Sequence, residues 1–308
     1  MKILLSIFFL ILSLKNAYSD KSRFNTEVLI IGGGTSGTMA GIQSARMGVK
    51  TIIIEETAWL GGMMTSAGVS AIDGNHNLPS GLWAEFRNEL IKHYGSEAAL
   101  ASGWVSKVMF EPAVAQKILR QMCAREKNLS VISSVRFLNI KKKSEGWTVD
   151  FSDDITINTK ILIDGTELGD VAAKVGVKYD VGMESKVTYN EKIAPEKANN
   201  IVQDLTYVAV LKEYNRDVTI SKPLNYKKED FICACEKLCP NKKMERLWDC
   251  EQMKTYGQIQ NGKFMINWPI NGNDFYANMV EMNESQRQET IKKAKEHTLG
   301  FVYFMQTE

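Results

Sequence analysis

The chain has 308 residues, of which 44% are hydrophobic and 24% are charged, a composition typical of a globular protein of about two domains. Its 38 Lys and Arg residues face 36 Asp and Glu residues, and Lys2 and Lys15 lie in an apolar leader, so the remainder is close to neutral. Nucleic acid and anionic membranes both bind basic surfaces, and this charge balance argues against either as the main partner.

The first residues, "MKILLSIFFLILSLKNAYS", have the pattern of a secretory signal peptide. A basic Lys2 precedes an apolar core over 3–14, and the small residues Ala17 and Ser19 come before Asp20. This core is shorter than the roughly 18 residues of a membrane-spanning helix, which favours cleavage over an uncleaved anchor. No later segment is long and apolar enough to span. We therefore expect an exported protein, periplasmic or secreted, with no stable membrane insertion after signal removal.

The next segment combines a strand, a glycine-rich turn, a helix and a second strand. "EVLII" and "KTIIIEE" are typical of buried parallel strands, and "TSGTMAGIQSARMG" is typical of the helix between them. In such a unit Gly32 permits the tight turn, Gly34 lets the backbone approach a pyrophosphate, and Gly37 lets the helix pack close to the strand. The helix N-terminus offers N–H groups to the phosphates. The pattern predicts a dinucleotide-binding unit.

Glu55 ends the second strand, about 20 residues beyond the glycine turn, where an acid accepts hydrogen bonds from a ribose 2′-hydroxyl. An acid there disfavours the 2′-phosphate of NADP, whereas the turn alone does not separate NAD from FAD. The doublet Gly61 and Gly62 follows closely. A second loop of close backbone approach suits a cofactor that extends past its pyrophosphate, and a simple surface loop is the alternative.

Two amphipathic helices and a meander follow in chain order. "GLWAEFRNELIKHYG" places Leu82, Phe86 and Leu90 on one face and ends near Gly95, and "EPAVAQKILRQMCAREKN" carries Pro112 in its first turn. "SSVRFLNIKKKSEGWTVDFSDDITINTKILIDGTELGD" alternates in short strands, which predicts an antiparallel meander. It ends in "KILIDGTE", a strand returning to the parallel sheet.

Four stretches carry a resemblance to a known family: "VLIIGGGTSGTMAGIQSA", "LGGMMTSAGVS", "ILIDGTELGDVAAKVGVKYDVGMES" and "QDLTYVAVLKEY". They are similar to the FAD-dependent oxidoreductases related to the flavin domain of heterodisulfide reductase, which are two-dinucleotide-fold flavoproteins. They are more distantly similar to fumarate reductase flavoproteins. The third stretch resembles the family's D-A-T-E-x-G-D-x-A-x-x-A-G segment, with Gly165 in place of the usual Ala. The resemblance implies an α/β fold: a Rossmann-like FAD-binding domain with an antiparallel meander, plus an inserted α+β substrate or cap domain.

The resemblance also implies FAD as the cofactor. By position, Gly32, Gly34 and Gly37 would meet the pyrophosphate, and Glu55 would meet the ribose. The loop with Gly61, Gly62 and Met63 would line the flavin side. The backbone of Val135 would reach the adenine, and the turn with Asp164, Gly165 and Thr166 would close over the adenosine half. The residues implied are Gly32, Gly34, Gly37, Glu55, Gly61, Gly62, Met63, Val135, Asp164, Gly165 and Thr166.

We divide the chain into the signal peptide (1–19), an FAD-binding domain (20–176) and an incomplete substrate or cap domain (177–308). In the last part, "LTYVAVLKEY" is strand-like and "ESQRQETIKKAKEHTLGFVYFMQ" is a charged helix running into an apolar segment. The sequence stops in that segment without a capping signal or a packing partner, and the similar family continues beyond it. We therefore expect a C-terminally truncated chain that supplies only the adenosine and pyrophosphate half of the flavin site.

Four of the five cysteines lie close together, at Cys233, Cys235, Cys239 and Cys250. Disulfides or free thiols are the ordinary interpretation for an exported chain, and a 4Fe-4S cluster is the alternative. Their spacing matches neither the ferredoxin run nor paired zinc knuckles, which favours disulfides or thiols, and no residue is assigned to a metal. Cys123 lies beside the apolar face of a helix and is expected to be a packed thiol.

Flavin carries the redox chemistry, so the protein supplies orientation and an acid or base. His76, in "IDGNHNLPSG", is the candidate, with an exposed turn residue as the alternative; Arg87 and Glu111 rank below it as supporting residues. We expect an FAD-dependent oxidoreductase acting on a small organic or sugar-derived substrate. The alternative is a carbohydrate lyase or accessory protein that retains a nucleotide-binding fold, because some relatives carry a xanthan-lyase-like label. The sequence does not identify the electron acceptor.

Overall fold

A computed structural model describes residues 22–240, 243, 246–268 and 270–308. The predicted signal peptide, residues 1–19, lies outside the described residues. Of the helices in the described ranges, none is both long enough and apolar enough to cross a membrane.

A six-stranded mixed sheet forms the first part of the chain, in the order β3-β2-β1-β6-β5-β4. The first four strands in this order run parallel, and β5 and β4 continue the sheet antiparallel, as the predicted meander requires. The strands are β1 (Ser22–Ile31), β2 (Thr51–Glu55), β3 (Leu129–Ser133), β4 (Phe137–Lys143), β5 (Gly146–Phe151) and β6 (Ile155–Asp164). This arrangement confirms the predicted α/β fold class.

The central strand is apolar on both faces because both faces of the sheet are covered. Val28 and Ile30 of β1 pack with three helices in one buried cluster, whereas Leu29 and Ile31 pack with strands β5 and β6 and a short fourth helix in another. Successive strand residues point to opposite faces, so one apolar run serves two layers. The helices of this part are α1 (Thr35–Arg46), α2 (Gly81–Tyr94), α3 (Pro112–Ala124) and α4 (Asp170–Lys174).

The predicted ends of α2 and α3 are confirmed. Gly95 caps α2 with a φ of 88°, the left-handed conformation that glycine adopts readily. Pro112 is the first residue of α3, where its missing N–H costs nothing, since a first-turn N–H has no partner within the helix.

Within the described residues, the later part of the chain contains two small sheets and three α-helices. "LTYVAVLKEY" is not one strand: Leu205–Thr206 and Ala209–Lys212 belong to different sheets. These sheets have the orders β8-β10-β9 and β11-β7. The elements are α5 (Lys186–Tyr189), β7 (Leu205–Thr206), β8 (Ala209–Lys212), α6 (Cys250–Tyr256), β9 (Gln258–Ile259), β10 (Lys263–Ile266), β11 (Asp274–Phe275) and α7 (Glu284–Thr307).

Helix α7 is continuous from its charged start into the apolar segment. Asn283 and Gln286 form a reciprocal capping box at its start. Near its end Phe301 and Phe304 are almost fully buried and pack against Phe231. The expectation that this apolar segment lacks a packing partner is therefore wrong. The partner could not be found from the sequence, because Phe231 lies far earlier in the chain and no local pattern marks the contact.

Polar contacts join the two parts of the chain. Glu111 is buried just before α3. Its carboxylate accepts a 2.7 Å hydrogen bond from the Asn261 side-chain amide and forms an ion pair with Lys263. Arg287 of α7 binds both carboxylate oxygens of Asp170 at 2.7 Å. The division at residue 176 stays a prediction, and these contacts show that the two parts pack against each other.

Candidate functional site

The four parallel strands end at the same edge of the main sheet. Their last residues are paired in register: Ile31 with Asp164, and Glu55 with Ser133. In open α/β sheets, ligands bind in the crevice outside these carboxyl ends. The candidate site is therefore built by the segments that follow the four strands.

The turn after β1 packs tightly against the turn after β6. Gly32 has a φ of +100°, and a Cβ placed on it would lie 2.1 Å from the carbonyl oxygen of Gly165. A Cβ on Gly37 would lie 2.0 Å from the carbonyl oxygen of Gly32. Both positions require glycine, in agreement with the tight turn and the close helix packing predicted for them.

Gly34 differs from these two glycines because its open side faces the site. Its backbone has a φ of −57°, which any residue can adopt, and a Cβ there would meet only a carboxylate oxygen of Glu167 at 3.0 Å and the Gly165 carbonyl oxygen at 3.8 Å. The N–H groups of Ser36 and Gly37, in the first turn of α1, find no acceptor among the described residues. This bare backbone beside a positive helix end fits a diphosphate.

The second glycine loop lies directly against the first. The Gly61 N–H donates to the Gly33 carbonyl oxygen at 2.8 Å, and the Thr35 hydroxyl donates to the Gly61 carbonyl oxygen at 2.9 Å. A Cβ on Gly62 would approach the Cα of Gly34 to 3.0 Å. Beside them the Met63 side chain is 60% exposed. The backbone of this loop thus extends the surface of the first turn, the arrangement expected for a cofactor longer than its pyrophosphate.

Glu55 holds the first glycine turn in place. Its carboxylate is only 6% exposed and accepts hydrogen bonds from the Gly33 N–H at 2.6 Å and the Thr57 N–H at 2.8 Å. A carboxylate has about four lone-pair sites, so these two bonds leave capacity for a ribose hydroxyl. Contact between Glu55 and a ribose stays a prediction, but the acid lies at the edge where that contact is required.

The predicted adenosine-side residues have internal partners. The Val135 N–H donates to the Glu55 carbonyl oxygen at 3.1 Å, which leaves only the Val135 carbonyl for an adenine. Asp164 accepts from the Thr166 N–H, the Thr166 hydroxyl and the Ala172 N–H, so it organises the turn after β6 and the start of α4. Their direct contact with the adenosine half stays a prediction.

Glu167 is a site residue that the sequence analysis missed. Its side chain is exposed. Its Oε1 atom lies 3.0 Å from the position that a Cβ of Gly34 would take and 2.3 Å from the position that a Cβ of Gly62 would take. Loss of hydration raises the pKa of this carboxyl, and the charge of Glu55 raises it further. The acid of the family segment D-A-T-E-x-G-D falls on Glu167, but only tertiary structure brings that segment to the two glycine loops.

The catalytic candidates lie apart from these contacts. His76 is a half-buried turn residue whose ring makes no hydrogen bond with any described residue. Arg87 of α2 pairs with Glu97, and Glu111 is engaged with the second part of the chain, so both have structural partners. Among the described residues, neither Arg87 nor Glu111 forms a hydrogen bond or an ion pair with the two glycine loops. A catalytic role for His76 stays a prediction.

Cys233 and Cys239 are joined by a disulfide bond, the ordinary interpretation of their sequence context. Cys123 is a buried free thiol, and burial raises its pKa to about 12, which keeps it protonated. The Cys250 side chain lies outside the described residues. Within the described ranges no three His, Cys, Asp or Glu side chains are grouped to hold a metal ion.

The main sheet is mixed, and at its carboxyl edge it carries two glycine loops that contact each other and a buried acid, Glu55. This arrangement is typical of dinucleotide-binding proteins of the Rossmann type. A family model described as FAD dependent oxidoreductase matches residues 27–307. The chain belongs to this family, and FAD is the family's cofactor. Membership confirms the predicted FAD cofactor and the predicted family of oxidoreductases.

Solved structures of flavoproteins and other enzymes match parts of the chain at low identity. L-proline dehydrogenase from P. horikoshii is 16% identical over 53% of this chain and 24% of its own, with a TM-score of 0.30. p-Nitrophenol 4-monooxygenase from Pseudomonas putida is 14% identical over 53% and 46%, with a TM-score of 0.35. Bacillithiol disulfide reductase from Staphylococcus aureus is 21% identical over 46% and 38%, with a TM-score of 0.28. The chain thus spans less than half the length of each.

Proposed function

We propose that this protein is an exported FAD-dependent oxidoreductase that acts on a small organic or sugar-derived substrate. The observation that carries the proposal is the meeting of two glycine loops at the carboxyl edge of the sheet, with Gly34 open toward the site. Family membership supports the cofactor, and the apolar leader at residues 1–19 supports export.

The protein's own groups would bind and orient the cofactor. The Ser36 and Gly37 N–H groups would hold the diphosphate, and Glu55 would accept a hydrogen bond from the ribose while it keeps the Gly33 turn closed. The Gly61–Gly62 backbone would lie along the flavin side. When bound, FAD would accept the electrons removed from the substrate.

His76 is the residue we propose to move a proton. It lies in a turn shortly after the second glycine loop, and its ring is not engaged by a hydrogen bond to a described residue. A ring nitrogen of an imidazole can accept a proton from a substrate hydroxyl or amine, the usual role of a histidine general base.

Within the family, we propose a relation to the proteins that resemble the flavin domain of heterodisulfide reductase. Support comes from the segment "ILIDGTELGDVAAKVG", which forms the return strand, the turn at the site and α4. This segment supplies Gly165 and Glu167 to the contacts with both glycine loops.

The test begins with the absorbance spectrum of the full-length protein purified after export. We expect flavin bands that bleach with dithionite, followed by anaerobic reduction by one member of a panel of small alcohols, amines and sugar acids. Colourless protein that takes up no added FAD would contradict the proposal, and colourless protein that cleaves polysaccharide would favour the lyase alternative.

Two histidine variants separate the proton-transfer role from general effects. His76→Asn should bind FAD normally but slow its reduction by substrate about 10²- to 10⁴-fold, as expected for loss of an acid or base. His93→Asn, on an exposed residue near the end of α2, is the matched control and should leave reduction unchanged. Equal rates in both variants would remove His76 from the mechanism.

A further inference from the structure

The turn after β6 places a carboxylate in the surface that should receive a diphosphate. Oε1 of Glu167 is 3.0 Å from the Cβ position of Gly34 and 2.3 Å from that of Gly62. These two glycines lie where the second loop packs against the first, and Gly34 is the one whose open side faces the site. The carboxylate oxygen therefore lies beside the backbone that should receive the diphosphate.

No positive charge compensates this carboxylate among the described residues. The first glycine turn and the start of α1 contribute no titratable side chain, and neither does the second loop. The end of β2 contributes Glu55, whose like charge faces Glu167. On its own segment, Asp164 is engaged by Thr166 and Ala172, and Asp170 is paired with Arg287.

A divalent cation does not explain the two acids. Within the described ranges no three His, Cys, Asp or Glu side chains are grouped to hold a metal ion, and both oxygens of Glu55 are held by backbone N–H groups at 2.6 and 2.8 Å. Glu167 makes no hydrogen bond or ion pair with a described residue. An ionised Glu167 therefore has no counter-charge among the described residues.

We propose that Glu167 opposes the cofactor diphosphate when it is ionised, so that FAD binding takes up one proton at this carboxyl. The inference rests on the proposed cofactor role of the edge. A diphosphate carries negative charge and Coulomb repulsion at contact distance favours the neutral acid.

The sign of the pH dependence follows from this contact. Glu167 has a raised pKa before the cofactor binds, through lost hydration and the Glu55 charge, and an adjacent diphosphate raises it further. FAD affinity should therefore be greatest at low pH, where the acid is neutral in both states, and should fall as pH rises. The fall is at most about tenfold per pH unit, the slope for uptake of one proton.

Titration calorimetry of the full chain measures this proton directly. FAD is injected between about pH 5 and pH 8 in buffers of different ionisation enthalpy, because the slope against that enthalpy is the number of protons taken up. We expect uptake approaching about one proton in wild-type protein with FAD, whose diphosphate has no titrating group in this range, and none with adenosine, which lacks phosphate.

Two variants distinguish this role from others. Glu167→Gln should bind FAD at least about tenfold more tightly near pH 8, without proton uptake. Glu56→Gln removes an exposed acid beside Glu55 and should keep the wild-type uptake. FAD binding without proton uptake, or weaker binding by Glu167→Gln, would overturn the inference and leave the proposed function standing. Absence of FAD binding by every variant at every pH would contradict the proposed function itself.

Discussion

Replacement of Glu55 by Gln should weaken FAD binding strongly, whereas the same change at Glu56 should not. Glu55 is 6% exposed and its carboxylate is held by the Gly33 and Thr57 N–H groups, whereas Glu56 is exposed on the opposite side of the strand end. Since neighbouring strand residues point to opposite faces, only one of the two acids can reach the ribose.

The magnitude follows from the hydrogen bonds. A hydrogen bond to a charged group contributes about 1.5–3 kcal/mol, so loss of the charged acceptor for the ribose should raise the FAD Kd about 10- to 150-fold. In addition, a Gln amide offers only one acceptor oxygen where two N–H groups now bind. One of those N–H groups would lose its partner, and the free energy of unfolding should fall by about 1–3 kcal/mol.

The assay is quenching of flavin fluorescence during FAD titration, with thermal unfolding of each variant measured in parallel. The comparison is made below the melting temperature of the less stable variant, so that affinity is measured on folded protein. If Glu55→Gln and Glu56→Gln lose FAD affinity equally while both remain folded, the register assigned to the end of β2 is wrong.

Two further predictions concern the later part of the chain. Exported protein should contain no stoichiometric iron or acid-labile sulfide, because Cys233 and Cys239 are joined in a disulfide; iron at a constant ratio to protein would contradict this. Phe301→Ala should lower the free energy of unfolding by about 3–5 kcal/mol, because the fully buried ring of Phe301 packs against Phe231. The control Leu299→Ala, at a residue that is 39% exposed, should change it by less than about 1 kcal/mol. Similar melting temperatures for the two variants would refute the packing of α7.

The sequence was sufficient to predict the cofactor edge because the relevant signals are local. The spacing of Gly32, Gly34 and Gly37 after an apolar run is a property of one strand–turn–helix unit, and Glu55 follows at the end of the next strand. The alternating meander and the Gly95 cap are likewise specified by neighbouring residues.

Other features depend on contacts between distant segments, and the sequence alone did not reveal them. Glu167 faces Gly62 across more than a hundred residues of chain, and although "DGTELGD" was assigned to the cofactor site, its acid was not expected to lie on the second glycine loop. The backbone of Val135 was expected to reach the adenine, and its N–H is already used in a hydrogen bond to the Glu55 carbonyl oxygen. The apolar end of α7 appeared unpartnered because its partner, Phe231, belongs to an irregular segment without a periodic pattern.

The central claim, that FAD binds at the carboxyl edge of the sheet against Gly34, is tested most directly by FAD titration of wild-type, Gly34→Ala and Ser36→Ala protein. At Gly34 the backbone tolerates alanine, and the nearest atom to the new Cβ is the carboxylate oxygen of the exposed Glu167 side chain at 3.0 Å, which can move aside, whereas Ser36→Ala adds no atom there. Overpacking of a close contact costs about 1–3 kcal/mol, so Gly34→Ala should raise the FAD Kd about 5- to 150-fold with little change in melting temperature. Ser36→Ala should bind FAD as the wild type does. Unchanged FAD affinity in a folded Gly34→Ala protein would contradict the account.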